Sequence, residues 1–81
     1  MVYVYLFRCR DKTLYCGVTN NLLKRERLHN LGKGAKYVRA KGGGQMVFWE
    51  EYPTRELALK RELQIKKLNK RQKEQLIKGF V

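Results

Sequence analysis

Residues 2–9, VYVYLFRC, alternate in the two-residue period of a β-strand, with Tyr3, Tyr5, Phe7 and Cys9 on one side and Val2, Val4, Leu6 and Arg8 on the other. Apolar side chains on both sides for most of that length predict a central strand rather than an edge. RDKT reads as a turn, and residues 13–19 as a second strand closing a hairpin. TNN then supplies N-cap candidates for a helix over about 21–31, stopped by Gly32 or Gly34. GKGAKYVRAKGGG reads as a basic loop punctuated by glycine, in which Tyr37 and Val38 argue against a mere linker. QMVFWEEY is a third strand, and Thr54 is the N-cap of a second helix reaching to about Leu68. A lysine-rich third helix covers roughly 70–78. The order is β-β-α-β-α-α, without repeats, and residues 1–81 are read as one small domain.

Hairpin register decides what the tyrosines can do. A three-residue loop at Arg10-Asp11-Lys12 pairs Phe7 with Tyr15 and Tyr5 with Gly17, which puts Tyr5 and Tyr15 on one face. Gly17 would then leave open space above the sheet for a ligand to approach. A two-residue loop puts the two tyrosines on opposite faces, because a one-residue slip carries every side chain across the sheet.

Charge points to the partner. Nineteen Lys and Arg stand against seven Asp and Glu, a formal net charge of +12. Such an excess favours polyanions, and a nucleic acid is the natural one. No helix pairs a basic face with a broad aromatic one, and no apolar run spans a bilayer, so a membrane partner is not expected. MVYVYLFRCR has too short an apolar core, and no small-residue cleavage site, for a signal peptide. Cys9 and Cys16 match neither a metal-knuckle spacing nor a disulfide framework, and are read as buried reduced thiols of a cytoplasmic protein.

Acids are few enough to inspect singly. Glu62 stands out because it sits four after Ala58 and three before Ile65, beside the apolar stripe of the second helix. A carboxylate there needs a partner, either a neighbouring Arg or Lys or a metal ion. On the first helix Leu22, Arg25 and His29 share a face. Arg25 offers the fixed fork of donors that suits a phosphate, and His29 is the only histidine. Phosphate-loop, dinucleotide-binding, paired-carboxylate and zinc-histidine patterns are all missing from the chain.

Taken together these residues resemble the GIY-YIG nuclease superfamily, most of all its small stand-alone bacterial members. YVY at 3–5 and YCG at 15–17 occupy the two half-motifs, with Tyr5 and Tyr15 ten apart. The resemblance continues through TNNLLKRERLH, GKGAKYVR and ALKRELQIKKLNKRQKEQLI, nearly the whole chain. With the element order, it implies an α/β chain of the α+β type, whose three-stranded antiparallel sheet is flanked by helices.

It also implies a divalent-metal-dependent endonuclease, acting on DNA with little sequence specificity; RNA is the other polyanion this charge admits. By resemblance, Tyr15 deprotonates or orients the attacking water and Tyr5 supports the phosphate or that water. Arg25 clamps the scissile phosphate, His29 lies near the nucleophile, and Glu62 is the one acidic ligand for Mg2+ or Mn2+. A tyrosine with an ordinary pKa of about 10 is a poor base at neutral pH, so Arg25, the metal and a relay through His29 would have to lower it or carry its proton onward. Lys36, Tyr37 and Arg39 would line the groove, and Lys66, Lys70 and Arg71 would follow the phosphate backbone without specificity.

The chain departs from the pattern at Tyr3, which fills a glycine slot, at Cys16, and at Val18, where some members carry lysine. Asn69 is the nearest equivalent of an asparagine that many members place after the second helix. These departures support an alternative, a non-catalytic nucleic-acid-binding module of the same fold. With no further domain to confer sequence preference, selectivity would rest on nucleic-acid structure or on a protein partner.

Overall fold

A computed structural model describes residues 1–80. Three antiparallel strands form one sheet in the order β2-β1-β3, with β1 Val2–Cys9, β2 Leu14–Thr19 and β3 Gly44–Tyr52. The strand that is apolar on both sides is therefore the central one. Helices α1 Leu22–Asn30 and α2 Lys36–Ala40 belong to the first half of the chain, and α3 Arg55–Lys66 and α4 Lys70–Lys78 to the second.

The hairpin uses the three-residue loop. Cys9 and Thr13 close it through the Cys9 N–H donating to the Thr13 carbonyl at 2.9 Å, and Lys12 takes a left-handed φ of 71°. That conformation is the usual third-position solution of such turns. Tyr5 consequently pairs with Gly17 and Phe7 with Tyr15.

Side-chain alternation on β1 creates two different cores. Val4 and Leu6 pack with Cys16, Phe48, Ala58 and Ile65, joined at the margin by Leu76, Ile77 and Phe80 of the C-terminal part. Tyr5, Phe7 and Cys9 pack instead with Val38, joined by Tyr15, Leu22, Ala35 and Met46. The sheet thus lies between α3 and α4 on one side and α1 and α2 on the other.

Local chemistry sets the helix ends. The Asn21 side chain accepts from the Lys24 N–H at 3.0 Å to cap α1, and Gly32, at a φ of 74°, follows its C-cap. The Thr54 hydroxyl caps α3 by accepting from the Leu57 N–H. Asn69 and Gln72 form a reciprocal capping box at the start of α4, so the Asn69 side chain is occupied by its own helix.

One segment differs from its reading as a loop: Lys36–Ala40 forms a five-residue helix. Val38, fully buried against Tyr5 and Phe7, anchors it. Side chains of α1 also tie β3 in place, as Glu26 accepts from the Met46 N–H at 2.7 Å and Asn30 from the Gly44 N–H at 2.9 Å. Across the sheet, Arg8 grips Glu74 of α4 with two hydrogen bonds of 2.6 and 2.8 Å.

Candidate active site

The α1-side core is an unusual place to bury side chains, because two of its members are polar. Tyr5 and His29 are each about 1% exposed, and the Tyr5 hydroxyl and His29 Nε2 are hydrogen-bonded at 2.9 Å. His29 is ringed by aromatics: its ring centroid lies 4.7 Å from Phe7, 5.9 Å from Tyr5 and 5.7 Å from Tyr15. Tyr15, half-buried, lies 6.3 Å from Tyr5 and stacks at 24° on Tyr37 of α2. Tyr37 is partly exposed, and the Lys41 ammonium stands 5.4 Å from its ring centroid. Four of the expected residues, Tyr5, Tyr15, His29 and Tyr37, thus form one contiguous cluster.

Gly17 makes the cluster possible, in a different way from its reading as an open gap. A Cβ there would lie 2.6 Å from the Tyr5 hydroxyl oxygen and 3.0 Å from Tyr15 Cε2. The space above Gly17 is filled by the Tyr5 phenol itself, and Gly17 is buried. Any side chain at that position would push the two tyrosines apart.

The electrostatics bring in the charged residues. Burial raises the Tyr5 phenol far above its ordinary pKa, with Tyr15 and the Glu62 carboxylate adding to the rise and Arg25 opposing it. Tyr5 therefore stays protonated at neutral pH, opposite to the lowering that a basic phenol at this position would need. Burial also lowers the pKa of His29, and the neighbouring Arg25 charge lowers it further, so the imidazole is neutral at pH 7. On the other side of the sheet, burial and Glu62 push the Cys16 thiol up to about 11. The Glu62 charge thus acts on groups of both faces.

Arg25 is half-buried, has no carboxylate partner among the described residues, and lines a shallow polar depression of about 180 Å³ with Thr19, Asn21 and Lys24. The Glu62 side chain is only 15% exposed, and its one ion pair is a loose 3.5 Å contact with the exposed Lys66. Both readings of Glu62 thus meet at one residue: it has a lysine neighbour, and that contact is weak enough to yield. No group of three or more His, Cys, Asp or Glu is placed to hold a metal among the described residues. A single hard carboxylate fits Mg2+ or Mn2+ only where phosphate oxygens and water complete the shell, which is normal for magnesium.

The outlying basic residues divide. Lys36, Arg39 and Arg71 are exposed. Lys70 donates to the Lys12 carbonyl at 2.8 Å, tying α4 to the hairpin turn. Val18 packs against the aliphatic core, and Tyr3 is a half-buried strand residue between Thr19 and Glu51. Gly34 joins the cluster with almost no signal of its own in the sequence. A Cβ on Gly34 would overlap His29 Nδ1 and lie 2.9 Å from Cε1, so Gly34 forms the wall behind the imidazole. Its only trace in the sequence is a second glycine two residues after the one that ends α1.

The GIY-YIG catalytic domain model matches residues 1–75. The chain belongs to that family. It is 49% identical over 77 residues to the UPF0213 protein CPE1444 of Clostridium perfringens, covering 95% of this chain and 83% of that one. It is 47% identical over 75 residues to the UPF0213 protein YhbQ of Salmonella typhimurium, covering 93% of this chain and 75% of that one. The solution NMR structure of the UPF0213 protein BH0048 from Bacillus halodurans superposes with a TM-score of 0.60 at 39% identity, covering 96% of this chain and 84% of that one.

Proposed function

We propose that this chain is a divalent-metal-dependent endonuclease that hydrolyses phosphodiester bonds in DNA with little sequence specificity. The observation that carries the reading is the Tyr5–His29–Tyr15 cluster, with Arg25 one turn before His29 on the same helix. Membership of a catalytic-domain family supports it.

Phosphodiester hydrolysis needs a held phosphate, a placed water and relief of charge on the phosphoryl oxygens. Arg25, which has no carboxylate partner among the described residues, supplies the fork for the phosphate. Tyr15, at the exposed side of the cluster, orients the attacking water. Glu62 would hold the Mg2+ or Mn2+ ion, which supplies Lewis-acid stabilisation of the phosphate when bound. Lys36, Tyr37, Arg39, Lys66, Lys70 and Arg71 provide contacts to the backbone of the strand. Most of the acids are already engaged within the chain, by Arg8, Lys41, Lys60, Arg61 and Lys66, which leaves a large cationic excess for a polyanion. No helix is long and apolar enough to cross a membrane among the described residues, and the two cysteines are free and buried; we place the protein in the cytoplasm.

Supercoiled plasmid incubated with the protein and Mg2+ or Mn2+ is expected to be nicked. EDTA and Glu62→Ala should each stop the reaction while leaving DNA affinity nearly intact. Cutting that survives both would place the activity elsewhere. Binding without cutting in either metal would leave a nucleic-acid-binding module of the same fold.

A further inference from the structure

His29 is fully buried, and its Nδ1 has no hydrogen-bond partner among the described residues. Such an atom is costly as an N–H and less so as a bare lone pair. What faces it is Gly34: the direction in which a Cβ would be built runs into Nδ1, so the Gly34 hydrogen in that direction points at the nitrogen. A lone pair meets such a C–H in a weakly attractive contact, whereas an N–H would meet it hydrogen against hydrogen.

We infer that Gly34 holds the single proton of His29 on Nε2, making His29 a fixed neutral donor that positions Tyr5 rather than a relay for the proton of the nucleophile. This inference deepens the nuclease reading above, and its statement about the bound phosphate rests on that reading. A neutral imidazole with a bare Nδ1 carries its hydrogen on Nε2, and that hydrogen is donated to the Tyr5 oxygen over the 2.9 Å contact. The Tyr5 oxygen then acts as acceptor toward His29, and its own hydrogen is free. Tyr5 has no other hydrogen-bond partner among the described side chains. The acceptor it suits is therefore a phosphoryl oxygen brought by the substrate.

A relay, by contrast, would require Nε2 to accept a proton and Nδ1 to pass one on. Nδ1 is walled in by Gly34 and points to no acceptor, and the resulting imidazolium would sit among Phe7, Tyr5 and Tyr15 with Arg25 one turn away. The geometry thus gives the two tyrosines separate tasks. Tyr5 is held by His29 as a donor, and Tyr15 alone is placed to meet the water.

Two measurements on the full chain decide this. In 15N-detected NMR of the free protein near pH 7, His29 should show a protonated Nε2 and an unprotonated Nδ1. A proton on Nδ1, on both nitrogens, or exchanging between them would overturn the assignment. That result needs neither metal nor DNA, so it stands or falls apart from the nuclease reading. In plasmid nicking, His29→Gln keeps an N–H near the Nε2 position but has no basic nitrogen, and should remain within roughly tenfold of wild type, while His29→Leu loses about 10–100-fold, the scale on which orienting partners act. If His29 relays a proton, Gln falls as far as Leu, by about 10²–10⁴-fold.

Discussion

The two faces of the sheet bury the same strand for different ends. On one, Val4 and Leu6 of β1 meet Ala58 and Ile65 of α3 and Phe48 of β3, an aliphatic core with a free thiol as its most polar member. On the other, Tyr5 and Phe7 meet His29, Tyr15 and Val38, and a buried nitrogen has no partner among the described residues. Buried polar groups cost free energy unless paired, so the second face gives up stability that the first supplies. The difference marks the second face as the place of the proposed chemistry.

The comparison breaks most visibly through the aliphatic face. Leu6→Ala should destabilise the protein by about 2–5 kcal/mol in urea or guanidinium unfolding, with the nicking rate per folded molecule unchanged. A loss of activity beyond the loss of folded protein would mean that the two faces are not separable. Arg25→Ala should do the reverse: an unfolding midpoint close to wild type, with nicking reduced by about 10²–10³-fold, the scale of a removed charge-stabilising donor.

Gly17→Ala touches both properties. Its Cβ would strike the Tyr5 hydroxyl, so a loss of about 1–3 kcal/mol in stability should accompany slower cleavage. An alanine tolerated at full stability and rate would show that the Tyr5–Tyr15 spacing matters less than the geometry implies.

The smallest effect is a pH slope. The folded pKa of His29 lies below its ordinary 6.5 because burial, and then Arg25, disfavour the imidazolium. The unfolded chain therefore binds the proton more readily as pH falls below about 6.5, and folding stability declines from there until the folded form also protonates. One proton changes stability by at most about 1.4 kcal/mol per pH unit, and this part of the slope should vanish in His29→Gln. Chemical denaturation at several pH values between neutrality and the carboxylate range tests it; an unchanged slope in the variant would assign it to other groups.

Much of the fold could be read from the chain because its signals are local. Alternation marks β1, Asn21 and Thr54 mark two helix starts, and Gly32 marks a helix end. The hairpin register depended on loop length, and the Lys12 conformation settles it in favour of Tyr5 and Tyr15 on one face. Helix α2 escaped notice because it is five residues long and flanked by glycines, and its stability comes from Val38 docking in a core assembled from β1. The candidate site could be read where spacing along one element places its residues together, as for Arg25 and His29, one turn apart. It was not legible where the contact is through space. Tyr5 and His29 are 24 residues apart, and nothing in the local sequence tells Gly34 to lie against an imidazole nitrogen. Glu62 could be read as needing a partner, while its loose contact with Lys66 and its influence on Tyr5 appear only once α3 is packed.

The central claim is that the tyrosine–histidine face is a nuclease site, and one assay compares the faces directly. Single-turnover cleavage of end-labelled DNA with Mg2+ is measured for the wild-type chain, Arg25→Ala and Leu6→Ala under conditions where all three are folded. The account predicts cleavage by wild type and Leu6→Ala at similar rates, and next to none by Arg25→Ala despite comparable DNA binding. Equal rates for wild type and Arg25→Ala, or no cleavage by wild type at all, would contradict it.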